Sequence, residues 1–277
     1  PLRSVALWLF GLCAALFLLT TPGRITFPDD EIVFQTTQSL AERGELAVGG
    51  MPMRTGEPPG VGEGHFGTAE GPDGKRYGFF GHGLSLAAVP SYWFGNALEP
   101  RVPEIWKRAA RRDLFRFHRG DGRQDWLRLV VSLTNSLIGA LCVVLTFLWI
   151  RGEGFSQRAA ARTALLAGLG TTLWTYAGTM LSEPMSACML LAAAIFVRRF
   201  HRSGDAKMLI GAAAIMGLSV HVHVLNIVAV PVYIAYATWP LKQRGELEGH
   251  KRALIWALAA GAAGLILLGV SQGMRFG

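Results

Sequence analysis

The run Ala206–Trp239, AKMLIGAAAIMGLSVHVHVLNIVAVPVYIAYATW, decides how this chain is arranged. It has 34 residues and a single charge, Lys207, near its start. A helix crosses a bilayer core with ~20 apolar residues, within a range of roughly 17–25. The run is too long for one upright helix and short for two full ones. The flanking charges choose between them. Stretches 151–162, 198–207 and 240–252 carry 3, 4 and 4 Lys or Arg, whereas 177–184 and 219–226 carry none and 271–277 only Arg275. Short loops rich in Lys and Arg stay on the cytoplasmic side. A single crossing would send Lys242, Arg244, Lys251 and Arg252 outward. The run is therefore expected to cross twice, turning near His221–Asn226.

Working outward, further spans are expected at Ser4–Pro22, Leu127–Ile150, Ala159–Thr179, Pro184–Phe200 and Ala253–Val270. The first run, preceded by Arg3, has the charge and length of a secretory signal. It ends Leu-Thr-Thr-Pro-Gly without a small-x-small cleavage pattern, so an uncleaved span is preferred. Gly83–Leu98 contains Pro90, has only 16 residues, and as a span would invert every later loop. It reads as an amphipathic helix at the outer interface. The expected fold is an all-α polytopic membrane protein of about seven transmembrane helices, N-terminus inside. Its parts are a first helix (1–22), an extracytoplasmic loop with amphipathic helices (23–126) and a bundle of about six helices (127–277).

Composition agrees. The chain of 277 residues is 51% hydrophobic and 17% charged, where soluble domains carry about a quarter charged residues. Residues 24–126 hold 13 of the 27 Lys and Arg and 14 of the 19 Asp and Glu, so this stretch is nearly balanced. The net charge of +8 is spread over the short basic loops, which argues against nucleic acid as a partner. Cys13, Cys142 and Cys188 lie inside apolar runs and read as small core residues rather than a disulfide framework. The chain begins at Pro1 and stops just after an apolar run, so it is expected to be part of a longer protein.

So few acids remain that those near span ends stand out. Asp29, Asp30 and Glu31 follow the first span and open a helix with Asp29 as N-cap and Gly44 as the glycine past its end. They serve either as cap and dipole partners or as a carboxylate that takes a proton from an acceptor at the membrane surface. Gly74-Lys75-Arg76-Tyr77 and Gly81-His82-Gly83 form a glycine-rich turn before the aromatic helix, suited to a lipid headgroup or simply to a tight turn. Glu183, before Pro184, is the one acid between Ala159 and Val197. It either belongs to a helix start or is a site residue. His221-Val222-His223 sits at an outer turn, as a polar turn or as metal ligands from extended backbone. Lys107–Arg123 reads as a basic helix, either solvated or facing anionic lipid.

The order of these features resembles the bacterial GT-C membrane glycosyltransferases, over essentially the whole chain as their N-terminal portion. The similarity lies in Asp-Asp-Glu after the first span, Ser-Leu-Ala-Glu-Arg-Gly closing a helix, Asp-Gly-x-x-Tyr leading to Gly-x-Gly-x-Ser-Leu, and Leu181-Ser182-Glu183-Pro184. The nearest types are the protein O-mannosyltransferases and aminoarabinose transferases (glycosyltransferase family 39-like), which use polyprenyl-phosphate sugars. The resemblance implies transfer to a lipid, glycan or protein acceptor at the outer face of the plasma membrane. Asp30 becomes the catalytic carboxylate with Asp29 competing, while Glu31 and Glu183 lie near the substrates. Many relatives carry a lysine for the donor phosphate where this chain has Phe79, so Lys75, Arg76 or His82 takes that role, beside Tyr77, His221 and His223. If a divalent metal takes part, its candidate ligands are Asp30, Glu183 and His221 or His223. The competing reading is a membrane protein without catalysis, a transporter or assembly scaffold. Transporters place ionisable groups at mid-depth and repeat internally, and neither feature is apparent here.

Overall fold

A computed structural model of the chain describes residues 2–25, 27–49, 67–109 and 122–277. Most of it is helix. Among the described residues, four helical stretches are long and apolar enough to cross a membrane: Leu2–Thr20, Gly122–Gly152, Val224–Gln243 and Glu248–Phe276. Their outward faces keep large apolar side chains such as Trp8, Leu19, Trp256 and Ile266 exposed. Water would penalise that surface, and lipid would not. The protein is mostly helical, and its long apolar helices suit a membrane-embedded chain.

Three apolar clusters organise the helices. In the first, α1 (Leu2–Thr20) meets α6 (Thr134–Gly152) and α7 (Gln157–Leu169) through Phe17, Val143, Phe147 and Ala164. In the second, α2 (Pro28–Arg43), α3 (Gly83–Leu98) and α5 (Gly122–Ser132) bury Phe34, Leu84, Tyr92 and Leu127 around Met180. The buried face of α3, Leu84, Ala88, Tyr92 and Gly95, follows helical spacing, while Leu86, Trp93 and Phe94 point out. The third unites α9 (Glu183–Ser203), α10 (Ala206–Ser219), α11 (Val230–Gln243) and α12 (Lys251–Phe276). Here Gly217 of α10 and Gly264 of α12 touch backbone to backbone. A Cβ on Gly264 would sit 2.5 Å from the Gly217 carbonyl carbon, so only glycine permits this approach.

Several expectations are corrected. Ala159–Thr179 is not one helix. α7 ends at Leu169, and Thr171 caps the short α8 (Thr172–Tyr176) by accepting a hydrogen bond from the Leu173 N–H. Thirteen residues rise ~20 Å, less than the ~30 Å of a hydrocarbon core. Pro184–Phe200 lies within α9, whose 21 residues carry Glu183 at one end and Arg198, Arg199 and Arg202 at the other; it is not among the four apolar stretches. The run 206–239 does divide near His221, but α10 has only 14 residues. Its second part runs from a 3-10 turn, Val224–Ala229, into α11.

The segment after α1 is not all helix. A small antiparallel sheet forms from β1 (Ala47–Val48), β2 (Thr68–Glu70) and β3 (Arg76–Gly78) in the order β1-β3-β2. Asp29 is not the N-cap of α2. Phe27 holds the extended cap conformation with Pro28 at the first helical position, so all three acids fall in the first turn. Gly44 ends the helix with φ 69°, as expected. Of the basic stretch Lys107–Arg123, residues 110–121 lie outside the described residues. Lys107, on α4 (Glu104–Ala109), is neutralised by Glu99 at 2.5 Å and Glu104 at 2.9 Å.

Candidate functional site

The three acids at the start of α2 have separate fates. Glu31 is buried in a bidentate pair with Arg128 of α5, at 2.9 and 2.8 Å, and also accepts from Gln35. Arg128 stacks on Phe34. Asp30 is fully buried, and its Oδ1 accepts the Met180 N–H at 3.1 Å, tying α2 to the turn before α9. Asp29 is only half-buried. Burial, and then the neighbouring Glu183 carboxylate, push its carboxyl above the ordinary range. The chain thus sets Asp29 near Glu183 and fastens Asp30 to the turn that leads to it. Asp29 is the member of the acidic pair that solvent can reach.

A cavity of ≈ 850 Å³ lies between the sheet, the start of α3, the 220–223 turn and the end of α12. Lys75, Tyr77, His82 and His221 line it; Asp29, Asp30, Glu31, Arg76, Glu183 and His223 do not. Its walls are apolar where Met185, Met189, Leu218, Leu267 and Met274 meet it. Met185 packs against the cluster that contains Met180 and Leu84, so one apolar cluster adjoins Asp30 on one side and the cavity on the other.

The polar end of the cavity is built by close backbone contact. The Gly83 N–H donates to the His221 carbonyl at 2.8 Å. A Cβ on Gly81 would collide with the backbone oxygens of His221 and Val222, and one on Gly83 would come within 2.7 Å of Val222. The two glycines let the loop before α3 lie on the turn after α10. They thereby set the two histidines face to edge, 5.1 Å between ring centres.

The hydrogen bonds fix the ring protons. His221 Nε2 lies 2.9 Å from the Gly264 carbonyl, which only accepts, so this nitrogen carries the proton. His221 Nδ1 is then an acceptor for the His82 Nε2–H at 3.2 Å. His82 Nδ1 is left as a buried, unpartnered lone pair. Burial, then Arg275 and His221, hold the His82 imidazole down at about 4, so it is neutral at physiological pH.

Arg275 and Ser271, one turn apart on α12, complete this end. Arg275 is 4% exposed; it donates from Nη1 to the Gly78 carbonyl at 3.1 Å and from Nε to Ser271 O at 3.3 Å. Its Nη2 is buried without a partner, and so is the Ser271 hydroxyl. Other charges nearby are already paired: Lys75 with Glu45 at 2.5 Å, and Asp73 as acceptor for the Tyr77 hydroxyl at 2.7 Å. Three residues that line this one cavity, His82, Ser271 and Arg275, therefore each carry a buried polar atom without a partner (Nδ1, Oγ and Nη2). Leaving such atoms unpaired costs about 1–3 kcal/mol each, more for a charged group. A ligand that satisfies them recovers that energy.

The remaining residues are accounted for locally. His223 Nδ1 caps the following 3-10 turn by accepting the Leu225 N–H at 3.2 Å, and Arg76 sits in β3 opposite Val48 and Glu70. The metal candidates do not fit. Both nitrogens of His221 are engaged, and no group of three His, Cys, Asp or Glu suited to a metal occurs among the described residues. Sequence reasoning missed Arg275 and Ser271 as site residues. The available signal was that Arg275 is the lone basic residue of 271–277, with Ser271 four residues before it on the same helical face.

Comparison with protein-family models, curated proteins and solved structures found no match.

Proposed function

We propose that the protein is a membrane glycosyltransferase of the GT-C plan, with about seven crossings, two of them made by broken helices (α7 with α8, and α10 with the turn after it), its N-terminus in the cytoplasm and its site at the outer face of the plasma membrane. It takes a sugar from a polyprenyl-phosphate donor and passes it to a lipid, glycan or protein acceptor. The observation that carries this reading is the trio of residues lining one apolar-walled cavity that each hold an unsatisfied polar atom. Arg275 Nη2 asks for an anionic oxygen, His82 Nδ1 for a hydroxyl donor, and Ser271 Oγ accommodates either. A sugar phosphate offers both, and the methionine and leucine walls suit the chain of a lipid carrier.

In this mechanism Arg275 holds the phosphate and favours its departure by stabilising the charge that develops on it. Asp29 takes the proton from the acceptor as its oxygen bonds to the anomeric carbon and the bond to phosphate breaks. A carboxyl raised by burial and by Glu183 is a better base than an ordinary one. Asp30 positions Asp29 by anchoring the start of α2 to the Met180 turn. The family resemblance gives the catalytic role to Asp30; access to solvent favours Asp29.

One observation favours a second reading, a protein that binds lipid phosphate without transferring a sugar: Asp29, Asp30 and Glu183 do not line the cavity. Ligand selectivity tests the site common to both readings. In nanodiscs the protein is expected to bind a short polyprenyl-phosphate hexose more tightly than the same lipid lacking either phosphate or sugar. Arg275→Gln should cost about 1.5–3 kcal/mol, on the order of ten- to a hundredfold in affinity, with Arg275→Lys losing less. Equal binding of all three lipids would refute the assignment of the cavity.

A further inference from the structure

A second opening, of ≈ 470 Å³, lies where the end of α1 meets α8 and the residue before α2. Its lining includes Phe27, Trp174 and the hydroxyls of Thr20, Thr21, Thr175 and Thr179, and no charged side chain. A charged ligand entering it would lose hydration without gaining a counter-charge.

The hydroxyls are arranged to meet other hydroxyls. Thr21 donates to the Gly178 carbonyl at 3.3 Å and accepts the Gly23 N–H at 3.4 Å. Thr179 donates to the Tyr176 carbonyl at 3.0 Å and accepts the Leu181 N–H at 3.3 Å. These bonds commit their protons to the protein and leave each oxygen one further lone pair. Thr20 donates to the Leu16 carbonyl at 2.8 Å and accepts the Trp174 indole N–H at 2.9 Å. That bond fixes the tryptophan ring against the opening. Thr175 is exposed at the rim, where its hydroxyl can donate. Oxygen acceptors beside flat apolar rings suit a ligand with polar edges and a C–H face.

The position is informative too. Phe27 lies two residues before Asp29, and Thr179 immediately precedes Met180, whose N–H donates to Asp30. The opening thus adjoins the carboxylates that the larger cavity does not reach. We infer that this cleft seats a neutral pyranose or furanose ring, the sugar end of the acceptor. The word acceptor rests on the proposed transferase reading; binding of the neutral sugar does not.

Saturation-transfer NMR on the protein in nanodiscs tests this, using methyl glycosides of glucose, mannose, N-acetylglucosamine and arabinose beside glucuronate and glucose 6-phosphate. At least one neutral glycoside should give a saturable signal, and the charged sugars none. Trp174→Ala should weaken that binding about tenfold or more, Thr175→Val less, and Trp174→Phe least. Retained polyprenyl-phosphate binding shows that each variant is folded. No saturable signal from any neutral glycoside, equal signals from charged sugars, or indifference to both Trp174→Ala and Thr175→Val would overturn the inference. If glycosides bind through Trp174 but no sugar is ever transferred, the cleft stands and the transferase reading falls. If transfer proceeds while glycosides ignore Trp174, the outcome is the reverse.

Discussion

His82 and Asp29 are both perturbed by their surroundings, in ways that pH can expose. His82 is held at about 4 by burial beside Arg275 and His221, with Lys75, Tyr77, Asp73 and Glu45 also facing the cavity. A depressed imidazole favours the folded state fully above its ordinary value of 6.5, and that advantage is lost as pH falls from there to about 4. His82→Gln should therefore flatten the decline in melting temperature over that window. Donor binding, which uses the neutral Nδ1 as acceptor, should hold from pH 8 to about 5 and weaken below. Asp29 has the opposite sign. Its raised carboxyl favours folding at low pH, and this is lost as pH rises through its folded value. Asp29→Asn should thus melt slightly higher than the parent at pH 7 and equally at pH 3. Individual acids were legible in the sequence because the chain has so few. Their access was not: Asp30 and Asp29 are neighbours in the chain, yet one is sealed against Met180 and the other half open. Burial of that kind depends on a turn 150 residues away.

Elements hold these groups in place by two contacts that single substitutions can break. Glu31 and Arg128 join α2 to α5 as a buried ion pair. Removing one partner leaves an uncompensated charge, so Glu31→Ala should lose about 3–5 kcal/mol of stability, and replacing both by Met should recover most of it. Unfolding in mixed detergent provides the measurement. The backbone contact between Gly217 and Gly264 seats α12. Gly264→Leu should cost about 1–3 kcal/mol through overpacking. It should also weaken donor binding, because Ser271 and Arg275 lie on the same helix. At this scale the sequence read well where a local rule governs, as with Gly44 at the end of α2 and the bounds of α3. It failed at Ala159–Thr179, where uniform apolar composition hid the break that Gly170 and Thr171 introduce. It also misplaced the cap of α2, because Pro28 favours the first helical turn and moves the cap back to Phe27.

At the scale of the molecule, the described residues combine four long apolar stretches with shorter helices such as α9, whose ends are charged. Charge asymmetry, not length, underlies the proposed orientation. It can be checked by placing single cysteines in a protein whose Cys13, Cys142 and Cys188 are replaced by Ala. Cysteines at Ser156, Ser203 and Gln243 should react with a membrane-impermeant maleimide only from the cytoplasmic side, and one at Glu70 only from outside. Labelling of Ser203 and Glu70 positions from the same side would refute the arrangement. On that orientation both openings, one with a lone buried cation and one without charge, lie at the outer face, the second beside the carboxylates that the first does not reach. Transfer itself is the central claim. Purified protein in proteoliposomes should consume a radiolabelled polyprenyl-phosphate sugar from a panel of donors and release polyprenyl phosphate when membrane acceptors are supplied. Asp29→Asn should abolish turnover at undiminished donor binding, and Asp30→Asn should lower it. A folded protein that binds the donors yet releases no polyprenyl phosphate, or full turnover by both variants, would contradict the account.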